Sequence, residues 1–139
     1  MTRYLLDTNI LSETTKPICN EGVRKFLDSL SNAYISVLSI HEIAYGLERL
    51  PKGRKRSDLT QTIEALLATF EDLILPINQP EARAAGALRA ASQSQGRTVD
   101  TADGLIAGTA LVHGLTIVTR NEKDFEGLGV LIHNPWSEN

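Results

Sequence analysis

Short apolar runs alternate with longer amphipathic stretches along the chain. The short runs are bounded by turn-forming residues, and each predicts a buried β-strand. They lie at 3–7, 33–39, 74–77, 116–119 and 130–133. The first strand is expected to stop at Asp7, where the turn-prone sequence Asp-Thr-Asn begins.

The longer stretches place apolar residues at helical spacing. They predict helices over 21–30, 39–50, 59–73, 80–95 and 101–113. Ser39 and Glu42 have the spacing of a capping box at the start of the second helix, and Gly96 and Gly114 end the last two. Strands that alternate with helices predict an α/β fold, with a mainly parallel sheet of four to five strands covered on both faces.

Composition indicates the number of domains and the cellular compartment. The chain has 139 residues, of which 42% are apolar and 22% charged, as expected for one domain over 1–139. A single cysteine, Cys19, fits a reducing cytoplasm. The longest stretch without charged residues, 104–119, is too short for a membrane span, and the N-terminus has no secretory signal pattern. We therefore expect a cytoplasmic protein with no membrane partner.

Charge does not suggest a nucleic-acid-binding protein as a whole, because the formal net charge is −3. One local exception is the basic segment at 49–56, where five cations surround Pro51 and Gly53. These cations are Arg49, Lys52, Arg54, Lys55 and Arg56. A solvated loop between two helices and a patch that binds a partner explain this segment equally well.

Four acidic residues follow predicted strands or begin the next helix. They are Asp7, Glu42, Asp103 and Asp124. In open parallel sheets the ligand site lies at the carboxyl ends of the strands, so these carboxylates are expected to meet there. Each close pair of like charges costs on the order of 4 kcal/mol at ~4 Å. A cation must offset that cost, and carboxylates without His or Cys favour Mg²⁺ or Mn²⁺ over zinc.

A simpler role exists for each acid taken alone, because acidic side chains cap helices and complement the helix dipole. Asp7 can cap a segment that begins at Thr8, and Asp124 lies three residues after Asn121. Asp100 has the same spacing to Asp103 and is interpreted as a cap. Four caps at one edge of a sheet are nevertheless less expected than one pocket.

Four motifs carry a resemblance to a known family. The sequences LLDTNILSE at 5–13, SIHEIAYG at 39–46, TADGLIA at 101–107 and TRNEKDF at 119–125 resemble the acidic motifs of PIN-domain ribonucleases. The resemblance covers almost the whole chain and is closest to the VapC and FitB toxins, including the loop at 50–56 and Asn-Pro-Trp at 134–136. It implies a PIN-like three-layer fold.

The resemblance also implies a function and a site. Asp7, Glu42, Asp103 and Asp124 would bind Mg²⁺ or Mn²⁺ and support hydrolysis of RNA phosphodiester bonds. The polar residues that would orient these ligands are Asn9, Thr119 and Asn121. A toxin of this kind implies a homodimer and a small DNA-binding antitoxin that covers the acidic groove.

The basic segment then has a candidate role. An acidic protein needs a local source of phosphate affinity, so four of its cations are expected to hold the RNA backbone. These four are Lys52, Arg54, Lys55 and Arg56.

Other functions stay open at this point. A housekeeping RNA-processing nuclease of the same family is an alternative to a toxin, as is a non-catalytic interaction module with an acidic pocket. An aspartate-nucleophile phosphatase fits less well, because it needs a second Asp where Asn9 stands. His41, His113 and His133 are interpreted as structural.

Overall fold

Five short parallel strands form the central sheet of the computed structural model, which describes residues 1–138. Asn139, the last residue of the expected domain, lies outside the described residues. The strands are β1 (Tyr4–Leu6), β2 (Ala33–Ser36), β3 (Ile74–Leu75), β4 (Thr116–Val118) and β5 (Ile132–His133). Their order is β3-β2-β1-β4-β5, with every neighbouring pair parallel. The predicted parallel sheet is confirmed, although each strand is shorter than its apolar run.

Six α-helices cover the sheet within residues 1–138. They are α1 (Thr8–Thr14), α2 (Glu21–Asp28), α3 (Val37–Arg49), α4 (Arg54–Ala68), α5 (Gln79–Ser94) and α6 (Thr101–His113). Short 3₁₀ turns lie at Glu71–Leu73, Glu122–Phe125 and Pro135–Glu138. None of the helices in this part of the chain is both long and apolar enough to cross a membrane.

The sheet separates two apolar cores, which gives the molecule three layers. Alternate residues of β1 point to opposite faces. Leu5 packs with α6 residues such as Ile106, whereas Leu6 packs with Ile10 of α1 and Val23 of α2. All five side chains are at most 2% exposed. Because both faces are covered, the strands are continuous apolar runs rather than alternating ones.

Helices α5 and α6 pack very closely, as the small side chains at 80–95 predict. A Cβ atom at Gly108 would lie 2.7 Å from the backbone nitrogen of Ala85 and 2.7 Å from the carbonyl oxygen of Glu81. Only glycine permits this approach. Helix α6 has the predicted bounds, because Asp100 accepts a hydrogen bond from the Asp103 N–H at 2.8 Å and Gly114 ends the helix with φ +66°.

One helix was not predicted, and the predicted start of another is wrong. Helix α1 was not predicted, and it begins directly after β1 because the Asp7 carboxylate accepts a hydrogen bond from the Thr8 N–H at 2.8 Å. Helix α3 begins at Val37, two residues earlier than predicted, since Ser36 rather than Ser39 caps it. The predicted Ser39–Glu42 capping box therefore does not form. Ser39 is fully buried, and its hydroxyl lies 2.9 Å from the Thr8 hydroxyl.

Half of the basic segment is helical rather than a loop. Only residues 50–53 connect α3 to α4, and Arg54 begins α4. Arg56 turns back towards α3, where it pairs with Glu48 at 2.8 Å and donates to the carbonyl of Leu50 at 3.3 Å. The predicted helix at 59–73 is divided, because α4 ends at Ala68 and a separate 3₁₀ turn follows.

Candidate active site

The candidate site lies at the carboxyl ends of β1 and β4, where the strand order reverses. From β1 the chain builds the sheet outward through β2 and β3, and then returns to place β4 on the other side of β1. The helices that follow these strands diverge at such a reversal and leave a crevice above the sheet. Asp7 follows β1 and Thr119 follows β4, so both residues lie at the crevice.

An open cavity of about 380 Å³ occupies this crevice. Four acids that the sequence indicated line it: Asp7, Glu42, Asp103 and Asp124. They come from the end of β1, from α3, from α6 and from the 3₁₀ turn after β4. Thr8, Asn9, Ser12, Glu13 and Asn121 add polar groups, while Lys16, Arg120 and Trp136 complete the lining. The structure therefore brings the four acids to one pocket, as the sequence predicts.

Asp7 is the most constrained of the four acids. Its Oδ2 accepts hydrogen bonds from the Thr119 hydroxyl at 2.9 Å and from the Asn9 side-chain amide at 3.4 Å, while its Oδ1 caps α1. Burial raises the pKa of Asp7, and the negative charges of Glu42 and Asp124 raise it further, against the lowering effect of the Thr119 and Thr8 hydrogen bonds. The carboxyl is thus held in one orientation in a setting that disfavours its negative charge.

Thr119 connects the carboxyl ends of β1 and β4 through the hydrogen bonds of its side chain. It is fully buried, and its hydroxyl oxygen accepts hydrogen bonds from the Asn9 side chain at 3.2 Å and from the Asn121 N–H at 3.1 Å. The side-chain oxygen of Asn9, Oδ1, in turn accepts a hydrogen bond from the Arg120 backbone N–H at 3.3 Å. The three polar residues proposed to orient the acids therefore contact one another or Asp7, with Asn121 contributing its backbone.

Glu42 reaches the cavity from α3. Its side chain is exposed, and its Oε1 accepts a hydrogen bond of 2.6 Å from the Thr8 hydroxyl. Because Thr8 also contacts buried Ser39, the first turn of α1 is tied to α3 beside the acid. This contact aims an otherwise free side chain towards Asp7.

Asp103 and Asp124 complete the acidic wall. Burial raises the pKa of Asp103 to about 7, with further contributions from the charges of Asp100, Asp124 and Asp7. Asp124 lies in the 3₁₀ turn after β4 and is exposed. The Asn121 side chain does not cap that turn, so capping does not explain Asp124. A bound cation would stabilise the ionised form of a carboxyl whose pKa is raised by burial and by neighbouring acids, so such a carboxyl is a candidate ligand.

The donor chemistry of the cavity fits a hard divalent cation. The four acids offer only oxygen ligands, and mutual repulsion opposes their charges when no cation is bound. Within residues 1–138, no three His, Cys, Asp or Glu side chains lie close enough together to hold one ion. Asp124 is exposed, whereas Asp7 and Glu42 are oriented by their hydrogen bonds to Thr119, Asn9 and Thr8.

The sequence patterns did not indicate three charged residues of the cavity. Lys16 and Arg120 bring positive charge to an acidic pocket, and buried Glu13 pairs with Lys16 at 2.9 Å. Glu13 stands in the motif at 5–13, but no periodic pattern distinguishes it from a surface acid. Trp136 also lines the cavity. Its ring lies under the Arg120 guanidinium, 5.4 Å from ring centroid to Cζ.

The basic segment and the histidines lie elsewhere. None of Lys52, Arg54, Lys55 and Arg56 is among the cavity-lining residues of the described chain. His113 contacts Glu81 at 2.9 Å, and His133 stacks on Phe26 with ring centroids 4.5 Å apart. His41 is exposed on α3. The RNA-binding role of the basic segment stays a prediction.

Comparison with known proteins identifies the family. The PIN domain family matches residues 4–131. Toxin FitB of Neisseria gonorrhoeae is 36% identical over 96% of this chain and 99% of its own, and VapC ribonuclease Y4jK of Sinorhizobium fredii is 32% identical over 95% and 96%. The crystal structure of FitAcB from Neisseria gonorrhoeae superposes with a TM-score of 0.90 at 37% identity, covering 96% of this chain and 98% of the other. The matched residues include both β1 and β4, so the family assignment and the acidic crevice concern the same part of the molecule, and the chain belongs to the PIN domain family.

Proposed function

We propose that this chain is the toxin of a toxin–antitoxin pair and acts as an endoribonuclease that requires Mg²⁺ or Mn²⁺. The observation that carries the proposal is the convergence of four carboxyl groups on one open cavity at the carboxyl edge of the sheet. The relatives agree with it, since one is named a toxin and another a ribonuclease. Those names favour the toxin over a housekeeping nuclease and over a non-catalytic module.

The proposed ligands of the metal are Asp7, Glu42, Asp103 and Asp124. When bound, a divalent ion at this place would polarise a phosphoryl oxygen and lower the pKa of a water molecule that attacks the phosphorus atom. The chain itself would fix Asp7 through Thr119 and Asn9, and Glu42 through Thr8. The openness of the crevice suits a polymeric substrate, because an RNA strand can cross it without threading through a closed pocket.

Partners form part of the same proposal. A toxin must be held inactive until it is needed, so a small DNA-binding antitoxin is expected to cover the acidic groove. We also propose that the chain forms a homodimer. The support for both is the resemblance to the VapC and FitB toxins rather than a contact within this chain.

The decisive experiment compares the wild type with Asp7→Asn. The purified wild type, free of other proteins, should cut a mixed single-stranded RNA in Mg²⁺ and stop when EDTA is added. Asp7→Asn should lose cleavage and retain its circular dichroism spectrum. Asp72→Asn is the matched control, because Asp72 is an exposed acid outside the cavity lining. Equal cleavage by all three proteins would refute the assignment of Asp7.

Growth experiments distinguish a toxin from a housekeeping nuclease. Induced expression of the wild type in a bacterial host should arrest growth, whereas Asp7→Asn at the same protein level should not. Normal growth with wild-type protein that cleaves RNA in vitro would favour the housekeeping alternative.

A further inference from the structure

The acidic cavity presents an electrostatic problem for an RNA substrate. Four carboxylates line it, and the chain as a whole carries a formal charge of −3. A phosphate group approaching the crevice is repelled unless cations are placed nearby. Among the described residues, Lys16 and Arg120 are the two lysine or arginine side chains that line the cavity.

Buried Glu13 places a negative charge near these two cations. Its side chain is 6% exposed; one carboxylate oxygen pairs with the Lys16 ammonium at 2.9 Å, and the other accepts from the Asn20 N–H at 2.8 Å. Burial alone would raise the pKa of Glu13, but these hydrogen bonds and the charges of Lys16 and Arg120 lower it overall. Glu13 therefore stays ionised, pairs directly with Lys16 and attracts Arg120 at longer range.

Both cations keep hydrogen-bonding capacity for a ligand. The Lys16 ammonium has three donors, and its side chain is 55% exposed although one contact goes to Glu13. The Arg120 guanidinium lies over the Trp136 ring, with Cζ 5.4 Å from the ring centroid, and the Arg120 backbone N–H donates to the Asn9 side chain. A cation–π contact involves no hydrogen-bond acceptor, so the guanidinium N–H groups remain available to an anion. Within residues 1–138, this guanidinium forms no ion pair with a carboxylate.

We propose that Lys16 and Arg120 form a phosphate-binding pair at the rim of the acidic cavity, which holds an RNA phosphate next to the one that is cut. The inference rests on the proposed ribonuclease function and deepens it. Arg120 follows Thr119, which bonds directly to Asp7, so a phosphate held by Arg120 lies beside the acids. The pair reads only the RNA backbone and therefore adds affinity and position rather than base specificity.

The test measures RNA binding apart from cleavage. A fluorescent single-stranded RNA of mixed sequence is titrated with protein carrying Asp103→Asn, which keeps the RNA intact, at several KCl concentrations. Each lost phosphate contact lowers the slope of log K against log salt by roughly 0.7 for single strands. Adding Lys16→Gln and Arg120→Gln should therefore lower the slope by roughly 1.4, which corresponds to roughly 25-fold weaker binding near 0.1 M salt.

Matched controls isolate position from net charge. Lys25→Gln with Arg83→Gln removes the same charge from exposed sites outside the cavity. Its salt slope should stay close to that of the Asp103→Asn protein in which Lys16 and Arg120 are intact. Lys16→Gln alone, at an exposed side chain, should lower the slope by roughly 0.7 and covers the case in which the double variant does not fold.

The outcomes are separable from those of the proposed function. An unchanged slope in Lys16→Gln and in a folded double variant overturns the phosphate site, even if wild-type protein cleaves RNA. Equal losses in the Lys25→Gln/Arg83→Gln control also overturn it, because net charge then explains the effect. An unchanged slope with loss of the dimer in light scattering assigns the pair to a protein interface and overturns it too. Failure of wild-type protein to cleave RNA in Mg²⁺ refutes the proposed function, whatever the slopes are.

Discussion

Replacing Asp103 by asparagine should stabilise the metal-free protein at neutral and alkaline pH. Burial raises the pKa of this carboxyl from an ordinary 3.8 to about 7, with help from the neighbouring charges of Asp100, Asp124 and Asp7. The folded state therefore holds a proton that the unfolded state releases. Stability from this group is fully present below pH 3.8 and is lost as the pH rises through about 7.

The size of the effect follows from the shift. About three pKa units at ~1.4 kcal/mol each give an upper bound on the order of 4 kcal/mol. Because Asp103 faces a cavity open to water, screening reduces this, and we expect about 1–2 kcal/mol. With an unfolding entropy of ~2 cal/mol/K per residue, a chain of this length should melt about 3–7 °C higher as Asp103→Asn than as wild type at pH 8.

Differential scanning calorimetry in EDTA between pH 5 and pH 8 checks this expectation. The wild-type melting temperature should fall relative to that of Asp103→Asn as the pH rises, and the gap should narrow towards pH 5. Asp72→Asn, at an exposed acid outside the cavity, should follow the wild type. A lower melting temperature for Asp103→Asn at pH 8, or a gap that does not depend on pH, would refute the electrostatic reasoning.

Three further expectations follow from other parts of the molecule. Mg²⁺ should raise the melting temperature of the wild type in a fluorescence melt, because a ligand that binds the folded state stabilises it by mass action. Glu42→Gln should reduce this increase, and an unchanged increase would show that Glu42 is not a metal ligand. Gly108→Ala should cost about 2 kcal/mol or more in urea unfolding because its Cβ would lie 2.7 Å from backbone atoms of α5, while Gly86→Ala, with open space around it, should cost nothing. Replacing Lys52 and Lys55 by Gln should lower the salt slope of RNA binding by at most roughly 1.4, and no change would show that the basic segment serves another purpose.

Sequence patterns predicted the fold where burial and capping act locally. Strands covered on both faces are continuous apolar runs, so all five were predicted, with errors at their ends only. Helix α6 was predicted to the residue because Asp100 begins it and Gly114 ends it in a left-handed conformation. Helix α1 was missed since its seven residues are too few to show a clear apolar period.

The acids of the candidate site were predictable for a topological reason. Parallel strands place their carboxyl ends at one edge, so acids that follow strands converge even when they are far apart in sequence. The cations were not predictable in this way. Lys16 is held in the cavity lining by Glu13, and Arg120 by the Trp136 ring, and both contacts exist only in the folded chain. The basic segment was conspicuous in sequence because its charges are consecutive, yet part of it serves the α3–α4 connection through Arg56.

Asp7 shows that the capping and catalytic interpretations of an acid need not compete. One of its carboxylate oxygens caps α1 while the other faces Thr119 at the edge of the cavity. The cap positions Thr8, whose hydroxyl in turn holds Glu42, so the structural role of one acid aims another. An asparagine at this position can retain the oxygen that caps the helix, but it loses the charge and places an NH2 group where Thr119 and Asn9 need an acceptor. Alanine would also forfeit about 1 kcal/mol of capping. Loss of activity in Asp7→Asn therefore reports on the charge and the hydrogen bonds of Asp7 at the edge of the cavity and not on the start of α1.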